Sequence, residues 1–235
     1  MKAYGGDFIM LNRVVCICAG FLVGGAFAPV HGFEDKGLYG GASIDAVYNF
    51  SRFKAHQKSS AGTFDLNKSK AKDGYGASLF LGWAFKSGFW TLSPELDLKM
   101  DDGYHKQEFN DGEALATIHK RPINLSASLI AAYPIADTYD IQGIAGINIG
   151  QFKFEGVEKS ASASAMRRKQ TYYNLGFVIG TGVEKKFKTW AIGCTIKQNL
   201  YLKKKMNYTD SDGDRWQSKY RAASTNLSLR FRFPF

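Results

Sequence analysis

The sequence predicts an all-β chain: eight antiparallel strands in an up-and-down meander, closed into a transmembrane β-barrel and preceded by a cleavable signal peptide. Three observations predict it. Apolar and polar residues alternate with a period of two along eight segments. The connections between those segments are alternately short and long. The composition has 25 Gly and 14% aromatic residues but only 5 Pro, which suits twisted sheet, where glycine relieves crowding and rings pack on the pleat. A mean hydropathy of −0.25 excludes a bundle of membrane helices, since each span needs about 20 apolar residues. The 45% hydrophobic content excludes a disordered chain.

The first segment reads as targeting. Lys2 and Arg13 precede an apolar run from Val14 to Ala28, the length of a signal core and short for a membrane span. Val30-His31-Gly32 places small residues at the recognition positions, so the mature chain is expected to be residues 33–235, with 1–32 removed. Asp7 is out of place in a basic leader, and Met10 is an alternative start. Cys16 and Cys18 leave with the leader, so Cys194 has no partner for an internal disulfide.

The eight segments follow in order. Leu38, Ala42, Ile44, Ala46, Tyr48 and Phe50 share a face against Ser43, Asp45 and Asn49. Tyr75, Ala77, Leu79, Leu81, Trp83 and Phe85 stand against Gly76, Ser78 and Gly82. Trp90, Leu92, Leu96, Leu98 and Met100 alternate with Thr91, Ser93, Glu95, Asp97 and Lys99. Ile123 to Tyr133 alternates with Asn124, Ser126 and Ser128. A fifth segment spans about 139–154 with Asp140, Gln142 and Asn148 on its polar face. The sixth sets Tyr173, Leu175, Phe177, Ile179 and Val183 against Asn174 and Glu184. The seventh sets Trp190, Ile192, Cys194 and Ile196 against Thr195, Lys197 and Asn199. The last sets Leu227, Leu229, Phe231, Phe233 and Phe235 against Asn226, Ser228, Arg230 and Arg232.

Tight turns fall at 86–88, 134–137 and 185–189, and long polar stretches at roughly 51–73, 101–119, 155–170 and 203–219. All short turns therefore lie at one end, the arrangement of a membrane barrel. Aromatic residues collect at both ends of the apolar rows. Trp83, Phe85, Trp90, Tyr133, Tyr139, Phe187, Trp190 and Phe233 mark the short-turn end; Tyr48, Phe50, Tyr75, Tyr173 and Tyr220 mark the other. Two girdles around an aliphatic band fit a lipid-facing surface. A soluble ligand-binding barrel is the alternative, with its apolar face turned inward.

The chain finishes Leu227-Ser-Leu-Arg-Phe-Arg-Phe-Pro-Phe235, with apolar residues at every second position and a terminal Phe. Together with the leader and the eight segments, this resembles the small OmpA/OmpX-type or opacity-type outer-membrane barrels of Gram-negative bacteria. The resemblance implies that Phe231, Phe233 and Phe235 form a signal read by the barrel insertion machinery. The expected role is support of envelope integrity, and the resemblance itself implies only an outer-membrane surface protein with its loops to the exterior. It does not fix a function, because one barrel hosts adhesins, enzymes and structural proteins.

A barrel of about eight strands has an interior just filled by side chains. Asp45, Glu95, Asp97, Lys99, Lys197, Arg230 and Arg232 are expected to form an ion-paired network there. The alternative is a narrow passive channel lined by the same residues. The long stretches are basic. The first holds Arg52, Lys54, Lys58, Lys68, Lys70 and Lys72, with His56, Asp65 and Asp73; the third holds Lys159, Arg167, Arg168 and Lys169; the fourth opens with Lys203, Lys204 and Lys205. Such loops attract polyanions: phosphates of the cell's own lipopolysaccharide, or host glycosaminoglycans. The export signal argues against nucleic acid.

No cofactor or metal is expected. Asp210-Ser-Asp-Gly-Asp214 has carboxylates at alternate positions but lacks the distal Glu of a calcium loop. Asp101, Asp102 and His105 offer acids and a histidine without a second acid pair facing them, so a hydrolase acting on lipid or peptide is the alternative reading. The chain is expected to be a monomer.

Overall fold

The computed structural model describes residues 36–59, 62–101, 105–110, 114–158, 167–209 and 215–235. The predicted leader, the cleavage position, the choice of start, and the Asp210–Asp214 stretch lie outside them. The described residues form ten strands: β1 (Gly37–Ser59), β2 (Gly62–Ser87), β3 (Trp90–Asp101), β4 (His105–Asn110), β5 (Ala114–Ala136), β6 (Tyr139–Glu158), β7 (Arg167–Lys186), β8 (Ala191–Tyr201), β9 (Lys204–Thr209) and β10 (Arg215–Pro234).

Every pairing is antiparallel. The order runs β1-β2-β3-β5-β6-β7-β8-β10 and returns to β1. β4 continues the line of β3 along β5, and β9 continues that of β8 along β10, so the wall has eight staves. The closing ladder runs from Tyr39 opposite Pro234 to Lys58 opposite Arg215. Closure leaves no free edge around the belt, so backbone groups there satisfy one another and need no water.

The strands alternate as the period-two pattern dictates. Leu79 (66% exposed), Ile179 (61%), Ile44 (60%) and Met100 (58%) point out, while Ser43, Asp45, Ser78, Glu95, Asp97 and Asn148 point in and are buried. This outward apolar belt surrounds the barrel, far beyond the isolated patches of a soluble surface. Exposed Trp83, Phe85, Trp90, Tyr133 and Phe233 stand at its short-turn edge, and exposed Tyr48, Phe50, Tyr75 and Tyr173 at the other. Gly88, at φ +63°, makes the turn between β2 and β3 in the left-handed region that glycine adopts without strain.

Two expectations need correction. Among the described residues, the long polar stretches are mostly strand. Arg52, Lys54 and Lys58 lie on β1, Lys68, Lys70 and Lys72 on β2, Arg167, Arg168 and Lys169 on β7, and Lys204 and Lys205 on β9; Lys203 sits in the break between β8 and β9. Cations on the outward face and a mix of small polar and aromatic residues on the inward face obscured the strand in the sequence, because the alternation that signals a membrane strand needs an apolar outward face. Tyr220 is also not part of a girdle: it points inward and is buried. It shares the inward phase of Ser218 and Ala222 on β10.

Above the belt the wall divides. β2 pairs with β3 only from Gly76 onward, and β7 with β8 only as far as Gly176, with one further bond from the Leu202 N–H to the Leu175 carbonyl. The extensions thus form two half-sheets, β9-β10-β1-β2 and β4-β5-β6-β7. Among the described residues no ladder joins them at that height.

Candidate functional site: a filled interior under a basic wall

The interior has two chemically distinct parts. Toward the short turns it is ionic. One Nη of Arg230 reaches both carboxylate oxygens of Glu95, at 2.7 and 2.6 Å, and the Tyr39 hydroxyl donates to the same carboxylate at 3.1 Å. The Arg230 guanidinium also lies 4.1 Å from the Phe80 ring centroid, a cation–π stack. Arg232 donates to Glu184 and lies over the Tyr39 ring, and Lys186 meets Asp140 at 2.7 Å. Gly82 makes room for this arrangement. A Cβ there would come within 2.4 Å of the Tyr39 ring and hydroxyl, so any side chain would displace the ring.

At mid-height Lys197 bonds Asp97 at 3.1 Å and Lys99 meets Asp45 at 3.2 Å. Ser43 donates to Asp45 and shares a hydrogen bond with Ser78. A neutral chain links β6, β8 and β10 beside them: the Asn148 amide donates to Asn199, whose amide donates to Ser224. Nearby, the Tyr201 hydroxyl donates to Asn124, and the Asn124 amide donates to Asp101. The space left at this height is about 20 Å³, room for a water molecule or so. Taking charges out of water is expensive, and these pairs offset that cost only because both partners are present.

The seven ionic residues singled out in the sequence all face this interior and are buried or half-buried. Two of their contacts were not counted in that network: Glu184, read only as part of a polar face, is the partner of Arg232, and Tyr39 shares Glu95 with Arg230. Both stand in phase with polar neighbours, which is the signal that could have found them.

Toward the long hairpins the interior turns aromatic. Phe152 stacks on Tyr172 at 5.7 Å and meets Tyr201 and Tyr220 edge-on at 5.1 and 5.7 Å; Phe53 stacks on Phe154 at 6.2 Å. Met206 is buried in the same phase. Phe53, Tyr220 and Met206 come from one half-sheet and Phe152, Phe154 and Tyr172 from the other, so ring packing holds together what no ladder joins. Lys204 places its ammonium 5.4 Å from the Tyr172 ring. The sequence reading missed this cluster, because inward aromatics interrupt the polar face it relied on.

Of the basic residues, Arg52, Lys54, Lys72, Lys203 and Lys205 are exposed and Lys204 is half-buried. Lys58, Lys68, Lys70, Arg167, Arg168 and Lys169 are placed by strand register alone. Asp101 turns into the lumen, whereas Asp102 lies outside the described residues and His105 is placed on β4 only by register. Phe231 packs near Trp190 at 6.5 Å, Phe233 and Phe235 are exposed, and the Phe235 N–H bonds the Leu38 carbonyl. Among the described residues no group of three or more His, Cys, Asp or Glu side chains is arranged to hold a metal ion.

A closed barrel, apolar outside and ion-paired within, is the architecture of outer-membrane barrels. Among solved structures, the chain is similar to the outer-membrane protease OmpT from Escherichia coli, with 7% identity over 88% of this chain and 99% of that one and a TM-score of 0.52. It is also similar to the outer-membrane protein OprG from Pseudomonas aeruginosa (11% identity, 88% and 100% covered, TM-score 0.48). A third is Ail, the attachment invasion locus protein of Yersinia pestis, solved with the heparin analogue sucrose octasulfate (12%, 79% and 98%, TM-score 0.34). At such identities the likeness is one of fold. No family model and no curated protein matches the sequence.

Proposed function

We propose that the chain is an outer-membrane surface barrel, with its belt in the bilayer and its long hairpins on the exterior. Its role is structural, supporting the envelope, and the basic hairpins add adhesion to polyanions. The observation that carries this reading is the inverted polarity of the barrel. Exposed Leu79, Ile179, Ile44 and Met100 face out, while the Arg230–Glu95, Lys197–Asp97 and Lys99–Asp45 pairs fill the inside. A filled interior favours a scaffold over a diffusion pore. Asp101 is already engaged by Asn124, which favours a structural use of that acid over a catalytic one.

Heat-modifiable gel migration tests the barrel, since an unfolded or soluble chain would not show the shift. In planar bilayers no steady conductance is expected, and regular openings would overturn the filled-lumen reading. For adhesion, binding to immobilised heparin should weaken steeply as salt rises through the physiological range. Salt-insensitive retention, or none, would remove the polyanion role.

A further inference from the structure

The strand register brings cations together on the outer wall in a way the sequence does not show. On β1 and β10, Arg52 stands directly opposite Arg221 and Lys54 directly opposite Lys219. On the other side of β10, Lys219 stands opposite Lys205 of β9. One row therefore reads Lys54-Lys219-Lys205 across three neighbouring strands, and the row below it holds Arg52 and Arg221. Phe53, Ser218, Tyr220, Ala222 and Met206 of the same strands are buried inside, so the alternating cations face outward. Arg52, Lys54, Lys205 and Arg221 are exposed and Lys219 is half-buried. Arg52 donates through Nε to Asn67 of β2 at 3.1 Å, which orients its guanidinium along the wall.

Like charges directly opposite on adjacent strands repel, and a sheet normally avoids them. Strands lie about 4.8 Å apart and successive outward rows about 7 Å apart, so five positive groups crowd into a small patch. An anion bridging the rows would turn that repulsion into charge-assisted hydrogen bonds. The next outward row down holds Phe50, Ala223 and Leu200, and Phe50 and Leu200 are exposed members of the apolar belt. The patch thus sits on the rim of the belt, at headgroup height.

We propose that this patch seats the phosphates of an anionic lipid headgroup, a bis-phosphorylated glycolipid whose chains lie along the belt. The proposal rests on the reading of the belt as membrane-embedded and narrows the polyanion to a lipid. A soluble glycosaminoglycan would meet the hairpin tips first, whereas this patch faces sideways, where headgroups lie.

The test uses the full chain folded in phosphatidylcholine discs, titrated with bis-phosphorylated lipid A, its monophosphorylated form, and heparin. The bis-phosphorylated lipid should bind at least tenfold more tightly than the monophosphorylated one. Lys54→Gln, Lys219→Gln and Lys205→Gln combined should abolish that preference, while Lys188→Gln at the short-turn end should keep it. A preference that survives the triple change overturns the proposal; so does a triple variant that loses heparin but not lipid A. Lys219→Glu alone gives an independent reading. It should raise the Tm in lipid-free detergent by pairing with Lys54 and Lys205, and it should shrink the Tm increase that lipid A produces. An unchanged lipid A shift overturns the proposal. A chain that does not insert and shows no heat-modifiable shift defeats the membrane reading itself. One that inserts without preferring the bis-phosphorylated lipid defeats only this inference.

Discussion

The two halves of the interior solve one packing problem with opposite chemistry. Near the short turns, where the wall is a closed ring of ladders, Arg230, Glu95, Tyr39, Arg232 and Glu184 fill the space with charge and hydrogen bonds. Near the long hairpins, where the wall divides into two half-sheets, Phe53, Phe152, Phe154, Tyr172 and Tyr220 fill it with rings. An ion pair needs a rigid frame, since a small displacement leaves a buried charge exposed to a low dielectric. Ring packing is non-directional by comparison and tolerates an opening seam. The chemistry of each half follows the continuity of the wall around it.

The largest effect should come from breaking the ionic half. Glu95→Ala leaves Arg230 buried without its carboxylate and should cost about 3–5 kcal/mol, read as a fall in the unfolding midpoint in detergent and urea. Combining it with Arg230→Met should recover most of that loss, because the orphaned charge goes as well. If the double variant were no better than the single, the ion pair would not be the source of the stability. Phe152→Ala should cost about 3 kcal/mol, the lower end for a buried aromatic, but locally. Hydrogen exchange should speed up in β6 and β7 above the belt while the Arg230 end stays protected. Uniform acceleration along the barrel would show that the two halves are not independent.

A smaller effect is expected at Gly82. Gly82→Ala pushes on the Tyr39 ring and should cost about 1–3 kcal/mol, the usual range for overpacking. Adding Tyr39→Phe would not relieve it, since the ring as well as the hydroxyl meets the new methyl. The smallest concerns Lys204, whose ammonium lies over Tyr172. Lys204→Gln should change stability by about 0.5–1 kcal/mol, the worth of a cation–π contact whose ammonium is only half-buried. A larger fall in the midpoint would mean that Lys204 pins the seam between the half-sheets.

The belt and the ionic half were legible in the sequence because both depend on one clean alternation. Leu79, Leu81 and Trp83 against Ser78, Phe80 and Gly82 can be read outward and inward without knowing any partner strand. The upper half was not legible. In Ser51-Arg52-Phe53-Lys54 the inward residues are Ser51 and Phe53 and the outward ones are cations, a pattern that reads as polar loop until β10 supplies Tyr220 opposite Phe53. The cationic rows were invisible for the same reason. Lys54, Lys219 and Lys205 are neighbours only through register, and register between distant segments is not written in either one alone.

The closing ladder also bears on how fast the chain reaches this state. Most ladders join strands that follow closely along the chain, but Tyr39 pairs with Pro234, across almost the whole described length. The entropy of bringing such distant segments together must be met before their hydrogen bonds compensate, so this seam is expected to form last and to limit the rate. Until it does, β1 and β10 each carry an unpaired edge. The interval before closure is therefore when the nascent barrel is most exposed to aggregation.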